Sequence, residues 1–112
     1  MTELSLDIIK NYIILCQTES DIEKLLAYFA EDCAIIDNRH KKKYVGNDEI
    51  IQYYKSNEKT WITPKIKDPV INDDETITLV LVFKKLGLTM KTVTLNVKFS
   101  TNSSLFEQII IN

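Results

Sequence analysis

The chain has 112 residues, with 14 basic and 16 acidic side chains and a net charge of -2, which suits one domain built around one core, residues 1–112. This charge argues against a nucleic-acid binder, which carries a basic excess on one face. Because no apolar run approaches the ~20 residues that cross a bilayer, and no basic segment precedes an apolar core at the N-terminus, we expect a cytoplasmic protein without a membrane partner.

Two helices are predicted in the first quarter of the chain. The first spans about Leu6 to Gln17, where apolar residues recur at helical spacing after a possible N-cap, Ser5. The second begins at a capping box formed by Ser20 and Glu23 and continues into Phe29-Ala30-Glu31-Asp32.

A third helix is predicted after a short strand and a basic segment. The strand covers Cys33 to Asp37, and the run Arg39-His40-Lys41-Lys42-Lys43 is typical of a solvated loop or an edge strand. The helix begins after Gly46. Tyr53 and Tyr54 are adjacent in it, so we expect only one of them to face inward.

The last third of the chain is rich in strands. Residues 76–84 and 89–99 alternate between apolar and polar side chains, and a turn at Leu86-Gly87 separates them. Residues 105–111 form a final strand. Helices followed by a run of strands indicate an α+β domain with an antiparallel sheet.

Two cysteines without CxxC spacing and a single histidine, His40, argue against a zinc site. Cys16 and Cys33 are typical of buried structural thiols. We expect neither a metal nor another cofactor.

The order of these elements resembles the NTF2-like superfamily, which includes the ketosteroid isomerases and the SnoaL-like polyketide cyclases. The resemblance rests on FAEDCAIID at residues 29–37, YVGNDEIIQYY at 44–54 and LFEQIII at 105–111. It implies a cone in which about three N-terminal helices pack on a strongly bent antiparallel sheet and enclose a pocket. The side chains expected to line that pocket are Cys16, Phe29, Ile35, Tyr54, Trp61, Leu79, Leu81, Leu95 and Val97.

The resemblance to ketosteroid isomerases also implies a catalytic set. Asp37 falls at the position of the base that moves a proton next to a carbonyl, and Tyr12 falls at that of the oxyanion donor. For the third position, counting forward from the preceding turn gives Asn96, and counting back from the strand end gives Leu95. Strand alternation favours Leu95 on the inner face, unless a β-bulge turns Asn96 inward.

Each candidate also has a structural explanation. Tyr12 lies on an apolar helix face, where a tyrosine can be a core aromatic whose hydroxyl reaches a polar partner. Asp37 precedes Asn38, and this pair commonly forms a turn through side-chain hydrogen bonds to nearby backbone.

Two functional classes follow. One is a noncatalytic module that binds a small apolar or carbonyl-containing molecule and dimerises through the outer face of the sheet, where Val80 and Val82 lie beside threonines. The alternative is an isomerase or cyclase with Asp37 as base and Tyr12 as oxyanion donor. The missing third polar residue favours the first class.

Overall fold

The structure, a computed structural model, describes residues 3–18, 21–56, 63–100 and 103–112. The described helices are α1 (Glu3–Thr18), α2 (Ile22–Leu26) and α3 (Gly46–Ser56). The strands are β1 (Phe29–Asp37), β2 (Lys42–Val45), β3 (Lys65–Ile71), β4 (Thr76–Lys85), β5 (Leu88–Phe99) and β6 (Phe106–Ile111).

The strands form one open sheet in the order β2-β1-β6-β5-β4-β3. Neighbouring strands are antiparallel except β1 and β6, which are parallel, so the sheet is mixed. Strand β6, the last in the chain, lies inside the sheet between β1 and β5. It therefore joins the hairpin of β1 and β2 to the hairpin of β4 and β5. The predicted α+β class, with helices packed on the sheet, is confirmed.

One face of the sheet forms the core, as alternation along β4 and β5 predicts. Leu79 and Leu95 are partners on neighbouring strands, and both are buried. Ile9 and Ile13 of α1 complete the cluster from above the sheet, together with Ile50 of α3. Side chains at i and i+2 share a face of the sheet, so the alternation along each strand determines which side chains are buried in the core.

The end of α2 differs from the prediction. The helix stops at Leu26, and Phe29-Ala30-Glu31-Asp32 belongs to β1 instead. Phe29 pairs with Phe106 of β6, whose backbone N–H donates to the carbonyl of Tyr28 at 2.8 Å. The segment is therefore a strand because it pairs with β6, which is distant in sequence. A register shift between Phe29 and Ala34 accommodates the irregular alternation of the segment.

The start of α2 has a different cap from the predicted one. The N-cap is Asp21, whose carboxylate accepts from the backbone N–H of Glu23 at 3.0 Å. The predicted cap, Ser20, lies outside the described residues. An aspartate satisfies the same otherwise unpaired donor that a serine would.

Both edge strands carry features that block further pairing. The exposed lysines Lys42 and Lys43 lie on β2, which confirms that the basic run reaches an edge strand. Pro69 lies in β3, at the other edge, where a register shift separates Lys67 from Val70. Among the described helices, none is both long and apolar enough to cross a bilayer.

Candidate functional site

An aromatic cluster surrounds Tyr12 where α1 crosses the sheet. The Tyr12 ring centroid lies 5.0 Å from that of Phe106, 5.6 Å from that of Phe29 and 5.7 Å from that of Tyr28. Tyr12 is 7% exposed, so its ring is part of the core. The contacts with Phe106 and Phe29 are edge-to-face, a geometry that adds to the stabilisation from burial alone.

The hydroxyl of Tyr12 hydrogen-bonds with that of Tyr54, which α3 brings to it from the other side of the cluster. Tyr54 also forms a hydrogen bond with the thiol of Cys16, one helical turn after Tyr12. Burial raises the pKa of both phenols well above their ordinary value. Tyr12 and Tyr54 are therefore uncharged at neutral pH, and each carries a proton that it can donate.

Tyr53 and Tyr54 both pack against the core, so the expectation that only one of them faces inward is wrong. Their ring centroids are 5.4 Å apart. The two residues straddle the line along which α3 meets the sheet. Tyr53 therefore contacts Tyr44 of β2 at 5.1 Å between centroids, whereas Tyr54 contacts Phe29 of β1 at 6.3 Å.

Asp37 is the last residue of β1 and lies on the inner face of the sheet, 2% exposed. Its Oδ1 accepts from both the backbone N–H and the Nε of Arg39 at 3.0 Å. Its Oδ2 accepts from Nη2 of Arg39 at 3.1 Å and contacts Nδ1 of His40 at 2.9 Å. The carboxylate thus forms a turn and a two-pronged ion pair, and both of its oxygens have partners.

These contacts set the basicity of Asp37. Burial alone raises the pKa of the carboxyl group, but the hydrogen bonds and charges of Arg39 and His40 outweigh it and lower the pKa to about 2. In return, the hydrogen bond to Asp37 raises the pKa of Arg39. A carboxylate with so low a pKa and with both oxygens occupied is a poor acceptor for a proton from carbon.

Tyr53 lies between the hydroxyl pair of Tyr12 and Tyr54 and the ion pair of Asp37 and Arg39. Burial raises the pKa of its phenol to about 12, and the phenol interacts electrostatically with Arg39, Asp37 and Cys16. A polar strip therefore extends from Tyr12 past Tyr54, Cys16 and Tyr53 to the ion pair at the end of β1. We call this set of side chains, Tyr12, Cys16, Asp37, Arg39, Tyr53 and Tyr54, the polar strip.

Asn96 lies elsewhere. Its side-chain amide donates to the hydroxyls of Thr76 at 3.1 Å and Thr78 at 3.0 Å on the outer face of the sheet. Leu95 faces inward and is 6% exposed, as alternation predicts. The structure does not bring Asn96 together with Tyr12 and Asp37, so Asn96 forms no part of the candidate site.

The predicted pocket residues share the inner face. Six of them are buried in the core cluster, and Cys16 and Tyr54 are half-buried beside it. The buried ones are Phe29, Ile35, Leu79, Leu81, Leu95 and Val97. Trp61 lies outside the described residues. That these side chains contact a ligand stays a prediction.

Sequence reasoning missed the roles of Arg39, His40 and Tyr53. The available signal was the spacing Asp37-x-Arg39, in which a strand-end carboxylate and an arginine two residues later can close a turn. Within the described ranges, no group of three or more His, Cys, Asp or Glu side chains is arranged to hold a metal ion.

Comparison with known proteins identifies the fold. No protein-family model and no curated protein sequence matches the chain. A candidate ketosteroid isomerase from Kribbella flavida has a similar structure, with a TM-score of 0.74 and 9% identity over 98% of this chain and 77% of its own. A candidate SnoaL-like polyketide cyclase from Shewanella denitrificans has a TM-score of 0.70 and 17% identity, over 98% of this chain and 90% of its own.

A designed protein is also similar. A de novo designed protein with a curved β-sheet has a TM-score of 0.66 and 10% identity, covering 99% of this chain and 86% of its own. The chain therefore has an NTF2-like fold, as its sequence indicated. Such low identities carry the fold and not an activity, because one scaffold hosts many functions.

Proposed function

We propose that this protein is a noncatalytic binding module that holds a small apolar molecule with a carbonyl group against Tyr12 and Tyr54. One observation carries the proposal: two neutral phenols share a hydrogen bond inside an otherwise apolar, aromatic cluster. Buried hydroxyls need partners, and a pair of them within an apolar cluster gives an apolar ligand a fixed polar anchor.

The hydrogen bonds of this pair favour a carbonyl as the polar group of the ligand. Tyr12 and Tyr54 have two hydroxyl protons, one of which lies between them. Tyr54 also hydrogen-bonds with the thiol of Cys16. Sulfur is a weak acceptor. A carbonyl oxygen is a stronger one, so a ligand ketone would replace the Cys16 contact with a better hydrogen bond.

The state of Asp37 argues against proton transfer. A base that removes a proton from carbon needs a free oxygen and a pKa nearer the working pH. Both oxygens of Asp37 are bound by Arg39, and the pKa is about 2. The names of the two natural relatives, a ketosteroid isomerase and a polyketide cyclase, both refer to carbonyl-bearing compounds, which agrees with the ligand class but not with the chemistry of this site.

A matched pair of ligands tests the proposal. We would compare 1-acetylnaphthalene with 1-ethylnaphthalene, which share a shape and differ in the carbonyl, by calorimetric titration. Because one net hydrogen bond contributes about 1 kcal/mol, we expect the ketone to bind roughly fivefold to tenfold more tightly. Tyr12→Phe and Tyr54→Phe should abolish this preference. Tyr28→Phe, in the same aromatic cluster but outside the hydroxyl pair, should keep it.

Equal affinity of the parent protein for both naphthalenes, or binding of neither, would contradict the proposal. A separate assay addresses catalysis: isomerisation of 3-cyclohexenone to its conjugated isomer, followed by ultraviolet absorbance. We expect no turnover. Turnover that disappears in Asp37→Asn would instead establish the isomerase alternative.

The outer face of the sheet is the proposed contact between two copies of the chain. Val80 and Val82 of β4 are half-buried there beside Thr92 and Thr94 of β5. An apolar centre within a polar rim is the usual composition of a dimer interface. Light scattering after size exclusion should give twice the chain mass of 13.0 kDa.

A charge at the centre of this face tests the dimer. Val80→Lys should yield the monomer mass, because a dimer would bury two unpaired ammonium groups. Ile14→Lys, on an exposed site of α1 on the opposite side of the sheet, should leave the mass unchanged. A parent protein that elutes as a monomer at all concentrations would refute the assignment.

A further inference from the structure

The turn between β4 and β5 exposes apolar side chains to solvent. We call residues Lys84–Lys91 the hairpin tip. Its three large apolar residues are among the most exposed in the described chain: Leu86 at 94%, Leu88 at 71% and Met90 at 61%. Exposed apolar side chains are common singly, but a group of three at a protruding turn indicates a contact surface.

Leu86 is unfavourable for local structure as well as for solvation. Lys85 pairs with Leu88, so the connection has two residues, and both have positive φ: 53° at Leu86 and 79° at Gly87. This is the geometry of a type I′ turn, which favours asparagine at the first position and costs a leucine about 1–2 kcal/mol. A residue that is poor for both turn geometry and solubility suggests a function at the tip.

A bulge in β5 accounts for the exposure of Met90. Phe83 pairs with Lys91 and Lys84 pairs with Thr89, so Met90 has no partner on β4. This one-residue bulge turns its side chain out of the regular alternation. The apolar group at the tip therefore includes one residue placed by a turn and one placed by a bulge.

The charge around these residues has one sign. The hairpin from Thr76 to Phe99 contains four of the 14 basic residues and none of the 16 acidic ones, although the whole chain carries -2. Lys84, Lys85 and Lys91 belong to the tip, and the Nζ of Lys91 lies 4.8 Å from the centroid of the Phe83 ring. The apolar side chains are thus bordered by ammonium groups.

We propose that the hairpin tip binds the surface of a membrane that contains anionic lipids. A turn whose apolar side chains are this exposed fits a bilayer, which deforms around them, whereas a protein partner would need a matching groove. The three lysines of the hairpin tip would lie at the level of the headgroups, where each contributes to attraction by anionic lipids. Such attachment needs no membrane-spanning helix, and it departs from our expectation from the sequence that no membrane is a partner.

Sedimentation with lipid vesicles tests this proposal. The full chain should co-sediment with phosphatidylcholine vesicles that contain about 30% phosphatidylserine, and much less with pure phosphatidylcholine. Raising the salt concentration should weaken the binding, because salt screens exposed charges. Replacing both Lys84 and Lys85 with Gln should have the same effect as salt.

Leu86→Asn separates binding from folding. Because asparagine suits the turn, this variant should unfold at a higher urea concentration than the parent protein. Its partition onto anionic vesicles should nevertheless fall at least about tenfold, because it removes the most exposed apolar side chain of the tip. Ile71→Asn, at an exposed site on β3 that pairs with the far end of β4, should bind vesicles as the parent does.

Three outcomes would overturn the proposal. The first is that the parent protein fails to sediment with either vesicle. The second is that Leu86→Asn binds as well as the parent protein. The third is that the chain binds an acidic peptide such as polyglutamate but no vesicle, which would assign the tip to an acidic protein partner. None of these results bears on ketone binding at Tyr12 and Tyr54.

Discussion

Asp37→Asn removes the charge from the ion pair at the end of β1 while it keeps the local turn. The amide oxygen of asparagine can still accept the backbone N–H of Arg39, as Oδ1 of Asp37 does at 3.0 Å. What disappears is the charged fork between the carboxylate and the guanidinium. The variant therefore isolates the electrostatic contribution from the turn geometry.

The pKa of Asp37 gives the expected loss in the free energy of unfolding. It is lowered from 3.8 to about 2, so the ionised carboxylate stabilises the fold by roughly 2–3 kcal/mol at neutral pH. The side chain of Asp37 is 3% exposed, which keeps solvent screening small on its side, whereas Arg39 is 28% exposed and can regain water when it loses its partner. We expect Asp37→Asn to lower the free energy of unfolding by about 2–3 kcal/mol.

The pH dependence has a definite sign. Because the folded-state pKa is lower than the unfolded value, the contribution of Asp37 is fully present above about pH 4 and is lost as the pH falls toward 2. The asparagine variant has no such titration. The stability difference between the two proteins should shrink between about pH 4 and pH 2, as protonation removes the charge of Asp37.

Urea unfolding followed by circular dichroism measures this difference. At a slope of about 1–2 kcal/mol per molar urea, a loss of about 2–3 kcal/mol should lower the midpoint by about 1–3 M at pH 7. Asp74→Asn is the matched control, because Asp74 also accepts a backbone N–H two residues later, from Thr76, but it is solvated. A loss below about 0.5 kcal/mol for Asp37→Asn, or a difference that does not change at low pH, would refute the assignment of a buried ion pair.

Three further predictions concern the core, the outer face and a buried thiol. Leu79→Ala, at a site with 0% exposure, should lower the free energy of unfolding by about 2–5 kcal/mol in guanidinium titrations; a loss under 1 kcal/mol would contradict the packing. Asn96→Leu should cost about 1–2 kcal/mol, because Thr76 and Thr78 lose a donor, yet it should leave the preference for the naphthyl ketone intact; loss of that preference would place Asn96 in the site. Cys33 is fully buried, and burial raises the pKa of its thiol to about 12, so mass spectrometry should find it unmodified by iodoacetamide until the protein unfolds.

Strand faces were predictable because they depend on a short period. In β4 and β5 a residue's neighbours at i and i+2 decide its face, so Leu79 and Leu95 could be placed inward and Asn96 outward from the sequence alone. The same reasoning fails for the end of α2. Phe29 continues a helical pattern locally, but it pairs with Phe106 of the last strand, and no local pattern reports a partner that far along the chain.

The position of the site was predictable from the sequence, but the hydrogen-bond partners and protonation of its residues were not. Resemblance located Tyr12 and Asp37, and the structure places both on the inner side of the sheet. The partners that decide their chemistry come from different elements: Tyr54 from α3, and Arg39 from a turn that folds back on β1. Whether Arg39 points to Asp37 or to solvent depends on the shape of that turn. The sequence of the basic run is compatible with both orientations.

Two opposing effects act on the carboxylate at the end of β1, and the following residues decide between them. Burial raises the pKa of Asp37, which is the direction that a base for carbon acids needs. The guanidinium of Arg39 and the imidazole of His40 lower it by more than burial raises it. A scaffold can thus keep a carboxylate at this inner position and still make it a weak base, because two side chains in the next turn stabilise its ionised form. Burial raises the pKa of the phenols of Tyr12 and Tyr54, so both keep their protons and can donate hydrogen bonds on this inner face.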